Sequence, residues 1–290
     1  MIASRRSALL ALGGLAAAAC GPAPAAAPMV TPPRPLPPRP PVPPWPARRP
    51  DALAGTAFLE RIRDLVGPLR DERILAELEE GNVPRFMRSF VALPLTEGEG
   101  TAAAKVTQAW VLPDYLCVGS DDDFLRVPML ASTAQRIVDA LGCVLPTPHL
   151  VDIIFRHARH LPPVALEAGP LMVSSDAYRL QDERVEAART KLGTALGALV
   201  AGHKKDIVIC ARLSAGRLAI YGFHRADGEP VQPLSLVHST KYVDYAQGVR
   251  LVHRAVCIEG RERAVADVLA DAADAHWLSD EGAFSLPRYG

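Results

Sequence analysis

The sequence predicts an α+β fold in a single domain, with helices in the N-terminal half and a mainly antiparallel sheet in the C-terminal half. Three observations carry this expectation. Apolar residues at helical spacing are concentrated before residue 200. Beyond it, β-branched apolar runs joined by turn residues predominate. The two patterns mix without a regular β-α-β rhythm and without an internal repeat, which disfavours a parallel sheet.

Taken in order, Thr56 is placed to cap a helix carrying Phe58, Ile62, Leu65 and Val66 on one face. A second helix is expected from Asp71 to Glu80, with Gly81 at its C-terminal cap and Pro84 beyond. Strands are expected at Ser89 to Leu95, Lys105 to Leu112 and Tyr115 to Gly119, with a turn at Pro113-Asp114. Ser132-Thr133 opens a helix reaching Leu141. Another runs from Pro148 to His160, its proline in the first turn, where a missing N–H does little harm. Leu161 to Pro170 contains three prolines and reads as a connector. Gln181 to Val200 is the longest helix candidate. Asp206 to Leu213 and Arg217 to Phe223 suggest a hairpin around Ser214-Ala215-Gly216. Val249 to Ile258 is a further strand, and Glu262 to Ala273 a terminal helix.

The organisation before residue 51 is different. Ser4-Arg5-Arg6-Ser7-Ala8-Leu9-Leu10 is a twin-arginine export pattern, and the apolar run from Ala8 to Ala19 is too short to span a bilayer. Residues 1–20 are therefore expected to be a removable signal, with the protein exported to the periplasm or beyond. Cys20 follows small apolar residues and can be a lipid-bearing cysteine, although Ala17 stands where a lipobox usually has Leu. Plain cleavage near Ala19 is the alternative. The protein would then be either a membrane-anchored lipoprotein or a soluble one. Residues 21–50 hold about half of the 27 prolines and read as a polyproline spacer with a reach of roughly 90 Å. Residues 51–290 remain for the domain.

Charge narrows the partners. The first fifty residues carry six arginines and no acid, so the remainder has 26 basic against 32 acidic residues, a net of −6. That balance argues against a nucleic-acid partner. Cys117, Cys143, Cys210 and Cys257 sit in apolar contexts and read as buried cysteines; the compartment also permits a disulfide. No Cys-x-x-Cys pair or Gly-x-Ser-x-Gly elbow occurs. Gly119-Ser120-Asp121-Asp122-Asp123 reads as a solvated turn and lacks the glycine and glutamate of an EF-hand loop.

Ionisable residues crowd three segments: Gly202-His203-Lys204-Lys205-Asp206, Tyr221-Gly222-Phe223-His224, and His238 to Tyr245 followed by Arg250. Hairpin geometry places His203, Asp206 and His224 near one end of a strand pair. The candidate catalytic set is His203, Asp206, His224, His238, Tyr242 and Asp244. Lys205 and Arg250 are candidates for substrate binding. Such a set suits general acid–base chemistry or a zinc shell, and the cofactor is otherwise unspecified. An Arg inside an apolar strand needs a carboxylate or carbonyl partner, which Asp244 or Asp206 can supply. Each element also has a structural reading, with His203-Lys204-Lys205 as a helix terminus and Asp244 as an ion-pair partner. His157 and His160, three apart, read as chance neighbours on a helix.

The three segments resemble an uncharacterised family of secreted bacterial proteins, through Gly202-His203-Lys204-Lys205-Asp206, Tyr221-Gly222-Phe223-His224 and Tyr242-Val243-Asp244-Tyr245-x-x-Gly248-Val249-Arg250-Leu251. Asp123 to Pro128 and Gly142 to Thr147 extend the resemblance over most of residues 85–285. It implies no reaction. A weaker similarity is to zinc D-Ala-D-Ala peptidases. Here His238 and Asp244 are six apart where that family has seven, and its intervening glycine and His-x-His are absent. Two functions follow as expectations. One is an exported cell-envelope hydrolase acting on peptidoglycan or another extracellular polymer. The other is a non-catalytic envelope binding or scaffold protein. The only membrane contact expected is through the lipid anchor.

Overall fold

A computed structural model describes residues 41–96 and 106–290, all within one compact unit, Leu36–Gly290. The twin-arginine segment, Cys20, most of the spacer and Lys105 lie outside the described residues. The end of the predicted spacer belongs to the folded body. Trp45 is buried in the core and donates from Nε1 to the Met87 carbonyl at 3.2 Å. Arg48 donates to Asn82 Oδ1 and to the carbonyls of Gly119, Ala52 and Leu53.

Helix α1 (Gly55–Ile62) buries Phe58, Leu59 and Ile62. Its cap is not Thr56. Asp123 reaches across from a distant turn and accepts from both the Thr56 N–H and its hydroxyl. Asp121 of the same turn binds Arg85. The acidic run is therefore tied into the fold rather than simply solvated. Helix α2 (Gly67–Glu79) begins earlier than expected, because Pro68 suits a first turn. It is followed by β1 (Val91–Pro94), β2 (Gln108–Val111), β3 (Cys117–Gly119) and β4 (Phe124–Arg126). Then come α3 (Ala131–Ala140), β5 (Cys143–Val144) and α4 (Pro148–His157), whose N-cap Thr147 accepts from Leu150 N–H. His160 is not on α4. It lies in β6 (Arg159–His160), which pairs in parallel with β7 (Val200–Ala201).

Helix α5 (Ser175–Lys191) is the longest helix, displaced from its expected span. Ser174 caps its start, and Gly193, at φ 61°, follows its end, so Thr194 to Val200 is not helical. The predicted hairpin forms between β8 (Lys205–Ile207) and β9 (Ile220–His224), with Lys205 opposite Gly222 and Asp206 opposite Tyr221. Its strands are shorter than expected. Next come β10 (Pro230–Ser235), β11 (Gln247–Gly248), β12 (Val252–His253), β13 (Ala255–Ile258) and β14 (Arg261–Ala264).

The expected Val249 to Ile258 strand is broken because the chain changes sheets there. β11 joins the four-stranded sheet β10-β9-β8-β11. β12 and β13 join a six-stranded sheet, β14-β13-β2-β12-β5 with β1 on β2. The expected terminal helix also shortens to α6 (Val265–Ala270). The turn at Glu259-Gly260, both at positive φ, folds Arg261–Ala264 back as β14. The result is α+β with mostly antiparallel pairing. A main apolar core runs from Trp45 and Ile74 through Trp110 to Val256 and Leu278. All four described cysteines are free and buried. No helix among the described residues is long and apolar enough to cross a membrane.

Candidate functional site

The predicted residues fall into three hydrogen-bonded groups and a fourth place behind a cleft, and the first two groups touch through Tyr115, whose ring lies edge-on to His203 at 5.0 Å. The innermost centres on Arg126, whose side chain is 1% exposed. Its guanidinium meets Asp114 at 2.6 Å, Asp182 at 2.9 Å and Glu186 at 2.8 Å. Asp182 and Glu186 are four apart on α5 and share a face. His203 belongs here, donating from Nε2 to Asp114 Oδ1 at 3.1 Å, while its Nδ1 has no hydrogen-bond partner among the described residues. Burial alone would raise the Asp114 carboxyl, but Arg126 and His203 more than reverse this and hold it well below its usual range. Burial pushes His203 down to about 4 against the pull of Asp114, so the ring is neutral near pH 7. With its side chain fully enclosed, His203 has a structural place in the interior rather than at a reacting centre.

Asp206 and Arg250 form a second layer. Tyr115 donates to Asp206 Oδ2 at 2.8 Å, and Arg250 lies over the Tyr115 ring at 4.3 Å. The partners of Arg250 are carbonyls, Leu112 at 2.9 Å and Val200 at 2.7 Å, not Asp244 or Asp206. It is 1% exposed, so it cannot bind substrate as expected; it ties the β2 end to β7. Gly248 makes this packing possible, since a Cβ there would lie 2.5 Å from the Tyr115 ring. Burial pushes Asp206 up to about 6, opposed by Arg250 and Tyr115.

The third predicted group lies on the other face of β8. Lys205 and Asp206 are neighbours on β8, so strand alternation turns them to opposite faces. Lys205 Nζ pairs with Asp244 Oδ2 at 2.9 Å, and Tyr242 donates to the same oxygen at 3.0 Å. His238 stacks on the Tyr242 ring at 4.0 Å. Asp244 is buried and also accepts from the Ala246 N–H. His238 thus reaches the Asp244 group only through Tyr242. The neighbouring Lys204 is buried and donates to the Tyr245 carbonyl, and burial lowers it to about 8.

A cleft of about 700 Å³ opens to solvent, lined by Asp152, Phe155, Arg156, His160, Tyr221 and the β9–β10 turn with Asp227 and Glu229. His224 is the one predicted histidine behind it. Its Nε2 donates to Asp152 Oδ1 at 3.1 Å, and Tyr221 donates to the same oxygen at 2.9 Å. Regular alternation would place residues 221 and 224 on opposite faces. Gly222 and Phe223 both have positive φ, 108° and 57°, and this kink re-aims His224. The ring's Nδ1 edge faces inward. Nδ1 and Asp206 Oδ2 each lie 3.5 Å from where a Gly222 Cβ would be. Phe155 is sandwiched between His224, at 4.7 Å, and His160, at 3.8 Å.

Asp114, Arg126, Asp152, Phe155, Asp182 and His160 are not among the predicted site residues. Asp152, Phe155 and Arg156 have an i, i+3, i+4 spacing on α4, which was a readable sign of one shared face. Nothing local marked Asp114 or Arg126 as partners of His203. No group of three or more His, Cys, Asp or Glu among the described residues is placed to hold a metal ion. The histidines and aspartates put forward as a zinc shell are spread over the three groups and the cleft-side pair of His224 with Asp152. Comparison with protein-family models, with curated proteins and with solved structures gives no match.

Proposed function

We propose that the chain is an exported cell-envelope protein that binds an extracellular polymer through the cleft over Asp152. The observation that carries this reading is the state of that carboxylate. One oxygen is pinned by Tyr221 and His224, which leaves the other for a ligand in an open cleft. The inward-facing Nδ1 edge of His224 supports binding over His-based hydrolysis, because a general base must be within reach of the proton it removes. Export rests on Ser4-Arg5-Arg6 and the short apolar run after it. A hydrolytic reading keeps one observation in its favour, the oriented Asp152–His224 pair.

The test is cosedimentation of the mature protein with purified peptidoglycan sacculi. Retention of the wild type, lost in Asp152→Asn, supports the proposal. Equal retention of that variant, or none of the wild type, overturns it for this polymer. Release of reducing ends or new amines from the sacculi would favour the hydrolase.

A further inference from the structure

We infer that the ligand of this cleft is a neutral saccharide chain, one pyranose ring of which lies on the outer face of His160. The inference rests on the cleft reading above and specifies its chemistry. His160 is exposed, yet its ring is fixed. One face stacks on Phe155 at 3.8 Å and 7°, and Nε2 donates to the Phe155 carbonyl at 2.9 Å. That bond sets the tautomer with the proton on Nε2. The β6–β7 pairing, with His160 opposite Ala201, holds the backbone beneath it. The other ring face is left as a flat platform at the cleft wall. An exposed aromatic face held without freedom of its own suits the apolar C–H face of a sugar ring, because little ordering is lost on contact.

Polar groups beside the platform match hydroxyls. Asp152 offers a carboxylate oxygen, and Glu229 on the turn above adds another acceptor. Asp152, Asp227 and Glu229 outnumber the cationic Arg156 in the lining, which disfavours polyanions such as polyphosphate or uronic-acid chains. The volume suits a short oligosaccharide.

Titration calorimetry of the mature protein with the N-acetylglucosamine tetramer and with cellotetraose tests the inference, with a peptidoglycan stem tetrapeptide and polygalacturonate as counter-probes. At least one neutral tetrasaccharide should bind and the counter-probes should not. His160→Ala should weaken binding by about tenfold or more while lowering the melting temperature by no more than about 4 °C, whereas His160→Phe, which keeps a flat ring, should retain it. Binding of the tetrapeptide or polyanion in place of sugar overturns the inference. So does a lack of sugar binding while sacculi are still retained through Asp152, and then the cleft reading survives. Sacculus retention indifferent to Asp152→Asn removes the cleft reading itself.

Discussion

Replacing Arg126 with Met tests whether the innermost group holds the fold. Met fills much of the aliphatic stem but removes the charge facing Asp114, Asp182 and Glu186. Glu186 keeps a second partner, Arg189 at 2.7 Å, and is partly exposed, so its loss is small. Asp114 retains only His203 and the backbone N–H of Tyr115, and Asp182 loses its one ion pair among the described residues. Removing one member of a buried ion pair costs about 3–5 kcal/mol, because the remaining charge is uncompensated. At 2–4 °C per kcal/mol for a domain of this size, the melting temperature should fall by roughly 10 °C. Urea unfolding at pH 7 measures the loss directly. Asp182→Asn in the same chain should recover part of it. The removed charge also lowers His203, so its ring should titrate higher in Arg126→Met, read by NMR. A stability loss under about 1 kcal/mol would refute the argument, since it would mean that the carboxylates find other partners or water.

Three other outcomes follow from the geometry. His203 is lowered to about 4, so the unfolded chain binds its proton first and stability falls as pH drops from about 6.5 towards 4; Asp206, raised to about 6, acts in the opposite sense, its contribution being present at low pH and lost as pH rises through 6. Asp206→Asn should therefore steepen acid destabilisation between pH 6.5 and 4, and urea midpoints with the wild-type slope would contradict it. Gly248→Ala forces a Cβ onto the Tyr115 ring and should destabilise by about 1–3 kcal/mol in thermal unfolding, with no loss if the ring can move aside. A chain beginning at residue 51 should melt below one beginning at 41, and Trp45→Ala should lose about 3–5 kcal/mol; equal melting would show that the Trp45 segment is only laid on the surface.

Local pattern was enough for the α+β class, the β8–β9 pairing and the start of α4, because periodicity, turn residues and first-turn proline act over a few neighbouring residues. The proximity of Asp206 and His224 was legible for the same reason, since both sit on one hairpin. Tertiary structure decided the rest. Asp123 caps α1 from 67 residues away, Arg126 reaches α5 across 56 residues, and Arg250 chooses carbonyls over carboxylates. Sequence spacing carries no signal for such contacts. The same holds for burial. His203, Asp206, Asp244 and Arg250 looked like one reactive cluster because their residue types are reactive, but the packing encloses all four. The positive-φ kink at Gly222-Phe223 turns His224 towards Asp152 behind the cleft; the glycine permits such a turn, but a positive φ at Phe223 is not a preference that the sequence announces.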